Sequence, residues 1–296
     1  MKITQLTRSA AFAAVLFGLS LPVVHAAPYA VVDTVQAPAW VERGGQRAPL
    51  VAGEVLKNRD RVITGEQARV VLRLAEGSAV KLGENAAMKV DALGKREGGV
   101  FTAALDVATG AFRFTTGIFS NALGRRAVNV RVASITAGIR GTDLWGSSDH
   151  ERDLICLIEG RITAVHPDAE PVQMSDPMSF YVAPRGLPPM PIESVDRVQL
   201  ALWALQTEVQ MGVATFRADG RWKVLLASVD SEREALAYYD TVRAAGYPVR
   251  IKPRVAGQRG YRYELFVPQL ASQEDAEALA VRLRQQLGLE ALRASR

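Results

Sequence analysis

Cysteine and histidine are almost absent from this chain, and their scarcity excludes several kinds of site. Cys156 is the one cysteine among 296 residues, so neither an intramolecular disulfide nor a cysteine-based zinc site can form. The histidines are His25, His150 and His166, which leaves few ligands for a metal and few bases for catalysis. The composition therefore predicts no metal site and no cofactor, and it favours a binding or scaffolding protein over an enzyme.

An excess of charge of one sign is also missing. The 36 lysines and arginines exceed the 31 aspartates and glutamates by only five. A nucleic-acid-binding domain concentrates basic residues, so this small difference argues against a nucleic-acid partner. Hydrophobic residues make up 48% of the chain and charged residues 23%, as in ordinary globular proteins, and the length suggests two domains.

Long hydrophobic runs are missing except at the N-terminus. Lys2 and Arg8 precede an apolar run from Ala10 to Val24, and a small residue follows at Ala26. This pattern predicts a cleavable signal peptide over residues 1–26 and export, most simply to a bacterial periplasm. The run is shorter than the roughly 20 residues that span a bilayer, so an uncleaved membrane anchor is the less favoured alternative. After cleavage, we expect no transmembrane span.

Residues 27–165 contain short runs in which apolar and polar side chains alternate, separated by glycine-containing turns. Alternation with a period of two residues is typical of strands, and the pattern predicts an all-β domain. The clearest runs contain Val70, Leu72, Leu74; Val80, Leu82; Phe112, Phe114; Val128, Val130, Val132; and Leu154, Cys156, Ile158. Cys156 lies on the apolar side of its run, which favours a buried, inert thiol over a reactive one.

Residues 166–220 are predicted to link two domains. Seven of the chain's 14 prolines lie between residues 166 and 192, so this stretch is expected to be extended. Apolar spacing then predicts a helix from about Glu193 to Val213. Trp203 is expected to pack on the β domain or at the domain boundary, with a free helical spacer as the alternative.

Residues 221–296 follow a different pattern, which predicts a second, α+β domain. Ser231 and Ser272 precede helical stretches as N-caps, and Gly246 and Gly288 end them. The predicted elements are strand 222–228, helix 232–245, strand 248–254, a turn at 257–260, strand 261–267, a helix after Ser272 and strand 289–292. This βαββαβ order predicts a ferredoxin-like fold, in which helices cover one face of an antiparallel sheet and leave the other open.

Catalytic residues are not suggested anywhere in the sequence. Ser147–Glu151 is the one cluster that combines serine, aspartate and histidine, but its residues are contiguous and hydrophilic. Catalytic triads are assembled from distant positions, so a hairpin turn is the better interpretation. The βαββαβ order also occurs in RNA-binding modules, but a single candidate aromatic, Phe266, and the export signal count against RNA.

Four motifs of the N-terminal domain resemble the FecR family. They are Gly53–Leu56, Asp60–Gly65, Glu76–Leu82 with its acidic-Gly-Ser turn, and Ile139–Leu144 with its Arg-Gly-Thr. The resemblance covers about residues 30–165 and implies an all-β fold, solenoid-like or a roll. The glycines, serines and threonines of these motifs suit turns, so we assign them to the fold and not to chemistry.

The C-terminal domain resembles the SPOR family of peptidoglycan-binding modules. The resemblance rests on Trp222–Ser228, Ala245–Tyr247 and Tyr263–Val267 and covers about residues 220–293. It departs from the usual pattern at Leu225, where glutamine is common, at Glu264, where arginine is common, and at Pro268-Gln269, where Gly-Pro is usual. The resemblance implies binding to peptide-poor glycan strands, a location in the cell envelope and an association with cell division.

Strand alternation predicts which residues of this domain point away from the helices. The candidate peptidoglycan-binding residues are Lys223, Leu225, Arg250, Lys252, Arg254 and Phe266, with Glu264 beside them. Arginine and lysine suit the carboxylate of each muramyl unit, and Phe266 suits the apolar face of a sugar ring. The alternative is that these cations form a solvated face or protect a sheet edge.

Together these observations predict an exported cell-envelope protein. Its C-terminal domain would bind peptidoglycan, and its β domain would act as a scaffold or contact an envelope protein partner. The alternative is a periplasmic component of a FecR-type transmembrane signalling system.

Overall fold

The structure is a computed structural model, and it describes residues 29–117, 126–139, 141–256, 260–290 and 292–296. The predicted signal peptide at 1–26 lies outside the described residues. So do Arg140 of the Arg-Gly-Thr motif and residues 257–259 of the predicted turn.

The N-terminal region consists almost entirely of strands, as the alternating pattern predicted. The strands are β1 (Ala30–Gln36), β2 (Ala39–Arg43), β3 (Gln46–Pro49), β4 (Arg61–Thr64), β5 (Arg69–Leu74), β6 (Ala79–Leu82), β7 (Ala87–Lys95), β8 (Phe101–Thr115), β9 (Arg126–Val132), β10 (Ile135–Ile139), β11 (Asp143–Ser148), β12 (Arg152–Glu159), β13 (Ile162–His166), β14 (Ala169–Met174), β15 (Ser179–Pro184) and β16 (Glu193–Ser194). A single 3-10 turn, Glu97–Gly99, interrupts the described part of this region.

Two antiparallel sheets share the long strand β8. One sheet runs in the order β16–β15–β12–β11–β8–β6–β5–β1, and the other in the order β3–β2–β4–β7–β8–β9–β10–β13–β14. Strand β8 passes from one sheet to the other near Gly110, whose φ is +83° and where a Cβ would lie 2.4 Å from Ala86 Cα. Among the described strand pairs, β8 with β9 alone is parallel. The all-β prediction is confirmed, and the antiparallel pairing differs from the parallel pairing of a β-solenoid.

The predicted apolar faces form the core between these sheets. The side chains of Leu72, Phe112, Phe114 and Val130 are fully buried. Cys156 is also buried, in a small second cluster, and desolvation followed by the nearby Asp143 carboxylate raises the pKa of its thiol to about 12. The thiol is therefore protonated at neutral pH, as expected of an inert cysteine.

Residues 166–220 contribute more structure than the expected linker. Strand β14 pairs with β13, and β15 pairs with β12. Pro171 is tolerated because β14 is an edge strand and its pairing shifts register near this residue. Helix α1 (Arg197–Leu205) is shorter than the predicted helix, since residues 193–194 form β16 and the regular turns end at Leu205.

Helix α1 packs on the β domain, as predicted for Trp203. Asp196 caps the helix by accepting hydrogen bonds from the backbone N–H groups of Val198 and Gln199. The Trp203 ring stacks on Trp145 with 5.0 Å between centroids and an interplanar angle of 3°. Just after the helix, Glu208 forms ion pairs with Lys81 at 2.6 Å and Arg113 at 3.3 Å. The contacts of Trp203 and Glu208 thus hold the C-terminal end of the helix, and the residues just after it, on the sheet.

The C-terminal domain has the predicted element order. After strand β17 (Thr215–Arg217), its elements are β18 (Trp222–Val229), α2 (Glu232–Ala244), β19 (Arg250–Ala256), β20 (Gly260–Leu270), α3 (Gln273–Leu287) and β21 (Arg293–Ser295). The sheet order is β21–β18–β20–β19, and the pairs are antiparallel. Ser231 and Ser272 cap the two helices, and Gly288 ends α3 with a φ of +65°. The last strand lies a few residues beyond its predicted position at 289–292.

A short strand and a tryptophan join the two domains. Strand β17 pairs with β1 of the N-terminal domain and, through Phe216 and Leu270, with β20 of the C-terminal domain. The Trp40 indole N–H donates to the Ala244 carbonyl at 3.3 Å, and a Cβ at Gly246 would lie 2.7 Å from this ring. The hydrophobic cores of both domains form one continuous cluster. The orientation of the C-terminal sheet is therefore fixed by packing.

Candidate functional site

The C-terminal sheet has one covered face and one open face. Helices α2 and α3 cover the face predicted to be internal, where Val224, Leu226, Val249, Leu265 and Val267 are buried. Ile251 is partly buried and packs against the same core. The alternation of the strands then directs the candidate binding residues to the opposite face, which no helix of the described residues covers.

Four residues form a straight row across the open face. Phe266 lies opposite Arg250 on one side and opposite Leu225 on the other, and Leu225 lies opposite Arg293 on β21. Because neighbouring strands are about 4.8 Å apart, the row is about 14 Å long. Phe266 and Leu225 are partly exposed and lie outside the main core. The row therefore has an apolar centre with a guanidinium at each end.

The lysine and arginine side chains on this face differ in whether a carboxylate of the protein already pairs with them. Arg254 donates a hydrogen bond to the Glu264 carboxylate at 3.0 Å, so its charge is already paired. Glu264 also lies directly opposite Lys252 across the strands. Within the described residues, Arg250, Lys252 and Arg293 have no ion pair or side-chain hydrogen bond. These three side chains are therefore available to an anionic ligand.

Lys223 lies at the margin of the site. Its ammonium group donates to the backbone carbonyl of Arg296 at 2.5 Å, and its cross-strand neighbour is Ser295. The structure therefore brings together Arg250, Phe266 and Leu225 of the predicted set. Lys252 and Arg254 lie two and four residues beyond Arg250 on the same edge strand, β19.

Arg293 was missed by the sequence analysis. The last strand was predicted at 289–292, because Leu289 and Leu292 are apolar. The observed strand carries Ala294 on the core side, which leaves Arg293 facing outward. The alternation Arg-Ala-Ser was the signal available in the sequence, but three residues are too few to distinguish a strand from a tail.

The Ser147–Glu151 cluster, which combines serine, aspartate and histidine, forms a turn, as predicted. The Asp149 carboxylate accepts hydrogen bonds from the backbone N–H groups of Glu151 and Arg152, which closes the β11–β12 hairpin. The His150 side chain is 89% exposed. Across the part of the chain that the structure describes, no group of histidine, cysteine and acidic side chains could hold a metal ion.

Two protein families match this chain. Residues 60–163 match the family described as FecR protein, and residues 218–292 match the SPOR domain. The chain carries a FecR domain followed by a SPOR domain. The row described above lies on the open sheet of the SPOR domain.

Two crystal structures align with most of this chain. Both are of a proposed anti-sigma factor from Parabacteroides distasonis, at 1.65 and 2.50 Å resolution, with sequence identities of 11% and 10%. Each alignment covers 78% of this chain and 92% of the other, with a TM-score of 0.40. A likeness this low supports no argument about function. No curated protein matches the sequence.

The two family matches indicate a binding or regulatory function. SPOR and FecR families are binding or regulatory modules, and the SPOR domain indicates peptidoglycan binding in the cell envelope. Among the described residues, every helix falls short of the length and hydrophobicity needed to cross a membrane.

Proposed function

We propose that this chain is exported to the periplasm and binds peptide-poor glycan strands of peptidoglycan through the open face of its SPOR domain. The row Arg250–Phe266–Leu225–Arg293 carries this proposal. It combines unpaired cations with an apolar surface, on the sheet of a domain whose family indicates peptidoglycan binding.

The chemistry of the row matches that of a stripped glycan strand. Muramyl units without peptides expose carboxylates, which guanidinium groups bind through charge-assisted hydrogen bonds. The C–H faces of sugar rings pack on Phe266 and on Leu225, which stands where the family often has glutamine. A strand lying along the row places sugars over the centre and carboxylates towards Arg250 and Arg293. Lys252 adds a third free cation beside Arg250.

The FecR domain serves in this proposal as a scaffold or as the contact for an envelope protein. A second candidate function is that the chain is the periplasmic component of a FecR-type signalling system, which the FecR match itself favours. N-terminal sequencing of the protein from the envelope separates the two. Cleavage after Ala26 supports a soluble envelope protein, and a retained N-terminus supports a membrane-anchored signalling component.

Sedimentation with purified sacculi tests glycan binding. The exported chain, residues 27–296, should bind sacculi, and removal of peptide stems with an amidase should increase the amount bound. At low salt, the Arg250→Ala/Arg293→Ala double variant should bind about tenfold less tightly. These side chains are exposed, so the substitutions should change stability by no more than about 0.5 kcal/mol.

A matched control removes two charges from the other side of the same domain. Arg233 and Arg284 are exposed on α2 and α3 and make no ion pair within the described residues. The Arg233→Ala/Arg284→Ala variant should bind sacculi like the unmodified chain. An equal loss of sacculus binding in both double variants would show that only the net charge of the domain matters. Unchanged binding by the Arg250→Ala/Arg293→Ala variant would refute the proposed site.

A further inference from the structure

An open cavity of about 730 Å³ lies on the sheet that contains β9, β10, β13 and β14. A straight row of residues crosses it, in which Asn129 lies opposite Gly138, Gly138 opposite Thr163, and Thr163 opposite Gln173. All four residues are exposed. Because neighbouring strands are about 4.8 Å apart, the row is about 14 Å long. The volume of the cavity falls within the range of roughly 300–1,000 Å³ that is typical of small-molecule sites.

Gly138 gives the row a low centre. Among the described residues, a Cβ built at this position would meet Asn129 Oδ1 at 3.8 Å and no other atom within 4 Å. The residues that alternate with the row, such as Ala137 and Ile162, are buried on the other face of the sheet. The core therefore accounts for the inner face of these strands, and it does not require the polar side chains of the row.

Two arginines line the same cavity, and the protein neutralises neither of them. Arg126 begins β9, and the exposed Arg161 directly precedes β13. Within the described residues neither forms an ion pair, and Arg126 Nη1 is buried without a hydrogen-bond acceptor. Arg131, on the same strand as Arg126, is by contrast paired with Asp106. The described residues that line the cavity include no acidic side chain, so the cavity attracts anions.

We propose that this cavity binds an acidic saccharide, that is, a sugar that carries a carboxylate or a phosphate. Arg161 donates charge-assisted hydrogen bonds to the anionic group, and the uncompensated charge of Arg126 adds to the attraction. The side-chain amides of Asn129 and Gln173 and the hydroxyl of Thr163 can each donate and accept hydrogen bonds, as sugar hydroxyls do. The site is separate from the open face of the SPOR domain, so the two proposals can fail independently.

An acidic peptide suits this cavity less well than a saccharide. Protein interfaces concentrate aromatic residues and methionine at their centre, and the described lining contains neither. A peptide that extends a sheet needs an unpaired strand edge, whereas β9, β10 and β13 are each paired on both sides. The ligand must therefore contact side chains across the strands, and those side chains are short and polar.

Nuclear magnetic resonance of the exported chain tests the proposal, because amide signals report where a ligand binds. N-acetylmuramic acid, which carries a carboxylate, or a phosphorylated N-acetylglucosamine should shift the signals of the row. Neutral N-acetylglucosamine should bind about tenfold more weakly or less tightly still, because it lacks the anionic group. Inorganic phosphate that binds as tightly as either acidic sugar would overturn the assignment to saccharides. So would a row that responds to triglutamate and to neither acidic sugar.

Two variants test the site by different routes. Arg161→Gln removes the exposed charge and should weaken binding of the acidic sugar about tenfold. Gly138→Val keeps the charge and fills the centre of the row, and it should abolish binding although valine is well suited to a strand. Circular dichroism of both variants verifies that they fold.

The matched control is Arg152→Gln. Arg152 is exposed at the end of β12 that lies away from the cavity, and it forms no ion pair within the described residues. This variant should bind like the unmodified chain, and so should the Arg250→Ala/Arg293→Ala variant of the SPOR domain. Retained binding by folded Gly138→Val, or an equal loss in Arg161→Gln and Arg152→Gln, would overturn the proposal.

Discussion

The Asp275 carboxylate accepts a 3.0 Å hydrogen bond from the backbone N–H of Thr215. Asp275 is 1% exposed and belongs to the first turn of α3, whereas Thr215 begins β17. The same carboxylate also accepts a 2.7 Å hydrogen bond from the Ser272 hydroxyl. One acidic side chain therefore joins the N-terminus of a SPOR helix to the strand that connects the two domains.

Replacing Asp275 with alanine should destabilise this junction. The Asp275→Ala change leaves a buried backbone N–H without an acceptor, which costs about 1–3 kcal/mol. Urea unfolding should show this loss in the free energy of unfolding. Glu290→Ala is the control, because Glu290 is exposed and unpaired within the described residues, and it should change the value by less than about 0.5 kcal/mol. Equal stabilities would contradict the role of Asp275.

Replacing Glu264 with glutamine should strengthen sacculus binding. Glu264 neutralises Arg254 and lies opposite Lys252, so Glu264→Gln adds positive charge to the open face. We expect an increase of a few-fold at low salt, fading as salt screens charges beyond roughly 8–10 Å. Glu277→Gln, on the exposed surface of α3, removes the same charge from the opposite face and should not increase binding.

Replacing Phe266 with alanine should weaken binding in a manner that salt affects little. The ring contributes apolar contact with sugar faces, whereas Arg250 and Arg293 contribute charge. The affinity for sacculi should be measured at several salt concentrations. The affinity of the Phe266→Ala variant should fall with added salt as steeply as that of the wild type, whereas the affinity of the arginine variants should fall less steeply. A Phe266→Ala chain with wild-type affinity would show that the centre of the row does not contact the ligand.

Cys156 should react with thiol reagents only when the protein unfolds. Burial, with the Asp143 carboxylate second, raises the pKa of its thiol from 9.0 to about 12. The raised pKa contributes stability below pH 9, and this contribution is lost as the pH rises towards 12. Labelling at pH 8 should be slow in buffer and fast in urea, whereas a Leu202→Cys variant, with its exposed thiol, should label quickly in both. Fast labelling of native Cys156 would contradict its burial.

Local patterns in the sequence were sufficient for much of the fold. Ser231, Ser272 and Gly288 cap helices by contacts within a few residues, so their roles could be predicted from the sequence. The alternation of apolar side chains likewise identified the buried faces, because burial on one side of a strand repeats every second residue.

Features that depend on distant partners were not predictable. Strand β17 has three residues and exists because β1 and β20 flank it. The pairing of β14 with β13 overrides the proline-rich composition, and Pro171 lies where the ladder is already irregular. Arg293 joins the candidate site only because β18 offers β21 a partner. Pairing register is a property of the folded chain, and single-strand periodicity does not encode it.

The strand β17 also connects the two sheets through backbone pairing on both of its sides. If glycan binds the open face as proposed, tension on the strand would pass from β20 through the short strand β17 to β1 of the N-terminal region. The contact of the Trp40 ring with Gly246 opposes rotation of the C-terminal sheet about β17. Because the two cores also form one cluster, a chain bound in this way would hold its N-terminal region in a fixed orientation relative to the glycan strand.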